Sequence, residues 1–227
     1  MPSDLPNHPP VAPRLKIREP FNGLSHLIGA VLGIAALVVL VCLARGKPWH
    51  LSAFAIYGAT LILLYLASTL YHSLPVSERG VQRLRMFDRV GIYLLIAGTY
   101  TPICLVPLRG GWGWSLLGVV WGLALFGSLC ELVWRTAPRW VGLGLYVVMG
   151  WLVILAVGPL MRTLTGAGLD WLLAGGLVYS VGAVIYATDR PRLWPGVFDA
   201  HDLWHVLVLS GSVCHFVVMV RFVAPLP

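Results

Sequence analysis

Residues 24–44 read LSHLIGAVLGIAALVVLVCLA. One ionisable side chain, His26, interrupts an otherwise apolar run whose helical length, at about 1.5 Å per residue, matches the roughly 30 Å hydrocarbon core of a bilayer. The stretch is read as a membrane-spanning helix. It is too long for the apolar core of a signal peptide and ends on no convincing small-residue cleavage site, so it is expected to be retained. The proline-rich, polar segment before it, residues 1–20, is expected to be a short flexible tail.

Outward from that run, which is counted as 22–44, six more of similar length follow at 50–73, 88–108, 113–134, 140–161, 169–188 and 200–223. Charged, proline-bearing or glycine-rich breaks divide them, such as Arg45-Gly-Lys47-Pro48, Arg109-Gly-Gly and Asp189-Arg-Pro-Arg192. An open sheet cannot span lipid, because its edges would leave backbone groups unpaired, and a membrane barrel would show ten-residue alternating segments instead. The expected fold is all-α, a seven-transmembrane helical bundle over 21–227, with no internal repeat or second domain. Trp49, Trp112, Trp114, Trp140 and Trp171 fall at expected helix ends, where an amphipathic ring prefers the headgroup level.

Composition supports this placement: 58% of the residues are hydrophobic and only 11% charged, far outside the makeup of a water-soluble domain. The surplus of 16 Lys+Arg over 9 Asp+Glu is read as a topology and headgroup signal rather than a nucleic-acid surface. The basic residues Arg14, Lys16, Arg18, Arg79, Arg83, Arg85, Arg89, Arg135, Arg139, Arg190 and Arg192 fall on one side of a seven-span arrangement. Arg45, Lys47, Arg109, Arg162 and Arg221 fall on the other. By the positive-inside rule the N-terminus is cytoplasmic and the C-terminus outside. The four cysteines lie inside apolar runs without metal or disulfide spacing and are read as packing residues.

Polar side chains inside these runs are costly, which makes each a site hypothesis. They fall into four clusters: Glu19, Asn22, Ser25 and His26 at the first helix, Ser68 and His72 closing the second, Asp88 opening the third, and His201, Asp202 and His205 opening the seventh. With this topology all four lie at the cytoplasmic end. His201 and His205, four apart, stack on one helix face and can chelate one ion; Ser68 and His72 have the same spacing. A bare HxxxH pair arises easily by chance, so its place among the other clusters carries the weight. Three neutral imidazoles from His72, His201 and His205 with one open position suit zinc of the catalytic type, whose water has a pKa near about 7. Asp88 would orient that water or take its proton, and Ser68 would hydrogen-bond to the water or an oxyanion. Asp88 could instead pair with Arg89, Arg85 or His26. The first-helix cluster is read in part as N-capping chemistry, Asp199 as the cap of the seventh helix, and His50 and His215 as packing histidines.

Four motifs carry a family resemblance. They are Glu19-Pro-Phe-Asn22-Gly-Leu-Ser25-His26, Ser68-Thr-Leu-Tyr-His72, Phe87-Asp88-Arg89-Val-Gly-Ile-Tyr through Thr101-Pro102, and His201-Asp-Leu-Trp-His205. Together, spanning about residues 19 to 223, they resemble the PAQR family, and within it the hemolysin III branch. The resemblance implies a seven-helix fold with a cytoplasmic N-terminus, and zinc held by His72, His201 and His205 with Ser68 and Asp88 around its water, as in the wider superfamily similar to alkaline ceramidases. It also implies residence in a bacterial inner (cell) membrane. With only a short tail before the first motif, the hemolysin III branch is expected rather than the animal hormone receptors of that family.

The functional expectation is a zinc-dependent hydrolase of a lipid amide, or an ester, with substrate entering from the bilayer. The alternative is a receptor- or sensor-like membrane protein with structural zinc. A cytolytic pore predicts a polar stripe along several helices, and a transporter predicts broken helices with polar residues at mid-bilayer. The sequence reading places the polar groups at one end.

Overall fold

The computed structural model describes residues 17–134, 136–194 and 196–227. Most of the 1–20 tail lies outside the described residues, as do Arg14, Lys16 and Arg135 of the basic residues sorted above. The described chain forms seven long helices: α1 (Pro20–Leu43), α2 (Pro48–Ser73), α3 (Glu78–Leu105), α4 (Gly111–Val133), α5 (Arg139–Leu160), α6 (Gly166–Thr188) and α7 (Ala200–Val223). No strand occurs among the described residues, only an isolated bridge between Trp194 and Phe198. The fold is an all-α membrane bundle.

Local chemistry sets the boundaries. Pro20 and Pro48 open α1 and α2, where the missing N–H would have had no helical partner. Ser77 Oγ accepts from Gly80 N at 3.4 Å to start α3, and Thr165 Oγ1 accepts from Gly168 N at 3.2 Å to start α6. At α7, Asp199 accepts from His201 N (2.8 Å) and Asp202 N (3.1 Å), while Asp202 Oδ2 accepts from Asp199 N (2.9 Å). This reciprocal box confirms Asp199 as the cap.

Six of the seven helices are long and apolar enough to cross a membrane. The exception, α3, corrects the expected 88–108 run: it begins at Glu78, so Asp88 lies almost three turns inside the helix instead of opening it. Its first turns carry Arg79, Arg83 and Arg85 and extend past the apolar stretch, which hydropathy alone reads as a break. The helix between α2 and α4 is nonetheless interior over its second half, with Tyr93, Leu95, Ala97, Tyr100 and Ile103 buried. Two helices depart from α geometry. After Arg139–Trp151, α5 tightens into a 3-10 turn over Leu152–Ala156, and α7 ends in a π turn over Met219–Val223.

The outer faces of α1 and α4 expose Leu24, Val31, Leu32, Val38, Leu125, Phe126 and Leu129, an apolar surface of the kind that acyl chains solvate. Lipid removes the usual hydrophobic incentive for helices to associate, so close packing has to hold them. Gly98 of α3 lies so near Thr60 of α2 that a Cβ there would overlap the hydroxyl; a Cβ on Gly182 of α6 would stand 2.8 Å from the Trp204 ring of α7. At the end opposite the histidines, Lys47 Nζ donates to the carbonyls of Ala224 (3.1 Å) and Leu226 (2.6 Å), and His50 Nε2 lies 3.3 Å from Val223 O. His50 is thus a tether for the C-terminus, in keeping with a packing role. All four cysteines are free.

Candidate metal centre

The four polar clusters converge. The last turn of α2 brings His72, and the first turns of α7 bring His201 and His205. One ligand nitrogen from each lies within 4.8 Å of the others, a group that could hold a metal ion. The two Nε2 atoms of α7 are 3.3 Å apart. Nitrogens bound about 2.0–2.1 Å from one tetrahedral ion stand roughly 3.3–3.4 Å from each other, so this pair is already spaced for a shared ion. His72 and His205 are 1% and 2% exposed, and His72 Nε2 is buried without a hydrogen-bond partner. Such an orphaned acceptor is costly unless something occupies it, and the residues present fit a metal.

Glu19 takes a role the sequence reading left to capping. Its side chain makes no cap hydrogen bond. Instead Oε2 accepts from His72 Nδ1 at 2.6 Å and from Asn22 Nδ2 at 3.3 Å, and Oε1 lies 3.7 Å from Arg18 Nη2. The Glu19 main-chain N–H donates to His72 O at 2.9 Å, which docks the start of α1 on the end of α2. A carboxylate behind one imidazole nitrogen leaves the other nitrogen as a lone-pair donor, the arrangement that orients metal-binding histidines. The hydrogen bond from His72 is the main reason the Glu19 carboxyl is lowered to about 2. Capping by Asn22 or Ser25 is likewise not made: Ser25 Oγ donates to Asn22 O at 3.1 Å.

Ser68, Asp88, His26, His201 and His205 all line a cavity of about 940 Å³ to which every one of the seven helices contributes. Ser68 Oγ is buried with no hydrogen-bond partner. Asp88 makes no ion pair among the described residues, because its neighbours are otherwise engaged: Arg89 Nη1 pairs with Glu131 Oε2 at 3.2 Å and Arg85 Nε donates to Tyr71 OH at 2.9 Å. The alternative of an Asp88 interface pair is therefore not what forms. Away from these groups the cavity wall is mainly apolar, with Leu95, Ile96, Ile103, Val153, Ile154 and Leu172, although Arg85, Arg89, Glu131, Arg139 and Asp170 line it as well. His201 and His215 both line it, so it runs at least about 21 Å along α7. The cavity keeps α5 off the bundle, and Met149 is the only buried residue in Arg139–Trp151.

Two features escaped the sequence reading. Glu131, a lone carboxylate in the fourth apolar run, was the available signal for the Arg89 pair. Buried polar groups also extend beyond the histidine end. Tyr65 OH donates to Ser212 Oγ at 2.7 Å, Tyr179 OH lies 2.9 Å from the same oxygen, and the His215 ring stacks on Tyr179 with centroids 5.5 Å apart. The three hydroxyls satisfy one another, which is how they are tolerated at that depth, whereas His215 Nδ1 is buried without a hydrogen-bond partner.

The profile of the family described as "Haemolysin-III related" matches residues 15–216. The chain is 42% identical over 207 residues to "Hemolysin-3" of Bacillus cereus, covering 90% of this chain and 91% of that protein. It is 40% identical over 208 residues to the "Hemolysin-3 homolog" of Bacillus subtilis (strain 168), covering 91% and 94%. A more distant relative is the "Monocyte to macrophage differentiation factor" of Homo sapiens, 27% identical over 195 residues, or 84% of this chain and 76% of that one. With a seven-helix bundle, a three-histidine group at one end and near-complete alignment to these relatives, the chain belongs to the haemolysin III-related family of multi-pass membrane proteins.

Proposed function

We propose that this protein is a zinc-dependent hydrolase that cleaves an amide or ester bond in a lipid. The observation that carries the reading is that His201, His205, Ser68 and Asp88 all line one mainly apolar cavity large enough for a lipid chain. Three imidazoles without a thiolate favour zinc, which when bound supplies a Lewis acid and a water with a pKa near about 7. Asp88 takes the proton of the attacking water and delivers it to the leaving nitrogen or oxygen as the acyl bond breaks, giving a fatty acid and an amine or alcohol. Ser68 hydrogen-bonds to the oxygen that gains charge. Glu19 keeps the His72 ring turned, and the apolar wall seats the acyl chain and excludes bulk water, which strengthens each of these interactions.

The same reading places the histidine end at the cytoplasmic face of a bacterial cell membrane. Arg79, Arg83, Arg85, Arg89, Arg139, Arg190 and Arg192 all lie at that end, and seven crossings then put the C-terminus outside. A sensor with structural zinc is the competing reading, supported by the way the ligands join the far ends of α2 and α7. The test is zinc content and fatty-acid release from N-acyl and O-acyl lipids by detergent-purified protein, wild type beside Asp88→Asn. The hydrolase reading expects about one zinc per chain in both and a drop on the order of 100-fold or more in turnover for the variant. Turnover that survives Asp88→Asn or zinc removal would overturn it, and zinc-loaded protein inert toward every such lipid would favour the sensor.

A further inference from the structure

His26 is the fourth imidazole at the centre and the only one without an evident task. It is 3% exposed, and neither ring nitrogen has a hydrogen-bond partner. Its ring centroid lies 4.0 Å from that of His205 and 4.9 Å from that of Tyr65, which is itself pinned by its 2.7 Å hydrogen bond to Ser212. The ring is therefore held in place by packing on both sides, not by hydrogen bonds of its own. Burying a polar ring with both nitrogens unpaired is unfavourable, and an apolar side chain of similar size would fill the space without that cost.

Two placements say what the ring is for. His26 lines the cavity with Ser68 and Asp88, whereas His72, closed off behind by Glu19, does not. It also lies outside the set of donors that meet within 4.8 Å, which consists of His72, His201 and His205. A side chain beside the ligands that borders the substrate space and carries a buried, unused N–H is placed to meet a lipid carbonyl seated against it, as a donor rather than as a ligand.

We propose that His26 donates a hydrogen bond from its neutral ring to the acyl carbonyl oxygen of the lipid, in the cavity that Ser68 also lines. This rests on the hydrolase reading and adds a donor to it. The bond strengthens as the carbonyl oxygen gains negative charge, so it acts mainly on kcat. No proton is transferred by His26 and its charge does not change.

The test uses the full-length protein in detergent, wild type beside His26→Phe, which keeps ring shape without a donor, and His26→Gln, which restores an N–H. Zinc per chain, thermal stability, turnover and the visible spectrum of the Co2+-substituted protein titrated with acetohydroxamate are measured together. The expected result is unchanged zinc content, a kcat loss on the order of 100-fold for His26→Phe with KM little affected, and partial recovery in His26→Gln. Acetohydroxamate, whose carbonyl oxygen would take the same hydrogen bond, should bind His26→Phe about tenfold more weakly than wild type. That measurement needs no turnover, so it judges His26 even if the hydrolase reading fails. Loss of zinc in His26→Phe would make the residue a ligand and overturn the proposal. Unchanged turnover and unchanged hydroxamate binding, with or without a fall in thermal stability, would reduce it to a packing residue. Failure of the hydroxamate to reach zinc in the wild type would overturn both readings, since the metal would then have no open side.

Discussion

Removing the carboxylate behind His72 should weaken metal binding without removing a ligand. Glu19 Oε2 sits 2.6 Å from His72 Nδ1, a short charge-assisted bond to a ring that is 1% exposed. Partners of this kind contribute roughly 10- to 100-fold to metal affinity, or about 1.4–2.7 kcal/mol. The lower half of that range applies here, because the Glu19 side chain is 39% exposed and shares its charge with Arg18. Glu19→Gln keeps an oxygen able to accept from Nδ1 and loses only the charge, so its zinc affinity should fall about tenfold. Glu19→Ala also frees the ring to rotate and should fall further, toward about 30-fold. Competition against a chromophoric chelator reads both. Affinities indistinguishable from wild type in both variants would refute the assignment and return Glu19 to the surface pairing it makes with Arg18.

His201→Ala with His205→Ala should take zinc from about one per chain to almost none by mass spectrometry while the helical circular-dichroism signal is kept. In the metal-free protein, Glu19 should also make stability depend on acid. Its carboxyl is lowered from an ordinary value near 4.5 to about 2, so its contribution is fully present above 4.5 and is lost as the pH falls toward 2; thermal unfolding in detergent should show this loss, and Glu19→Gln should flatten it. Gly98→Ala forces a methyl into the Thr60 hydroxyl and should cost about 1–3 kcal/mol, and Thr60→Ala added to it should recover part of that in unfolding measurements.

What the sequence determined by itself follows from lipid. A bilayer forbids unpaired backbone and penalises charge, so the apolar runs announced helices, and the few polar residues within them, His72, His201, His205, Ser68 and Asp88, stood out as site residues. The same rule misplaced the start of α3, because hydropathy cannot see an amphipathic helix continuing past the apolar stretch, and it passed over Glu131 in the fourth run. Tertiary structure decided the rest. Only the packing of helices puts Glu19 of α1 behind His72 of α2 instead of on its own helix end, separates Arg89 of α3 from Asp88 by giving it Glu131 of α4, and leaves His26 bordering a cavity. These are choices of partner between helices distant in the chain, and each side chain's own sequence neighbourhood offered it an equally good local alternative.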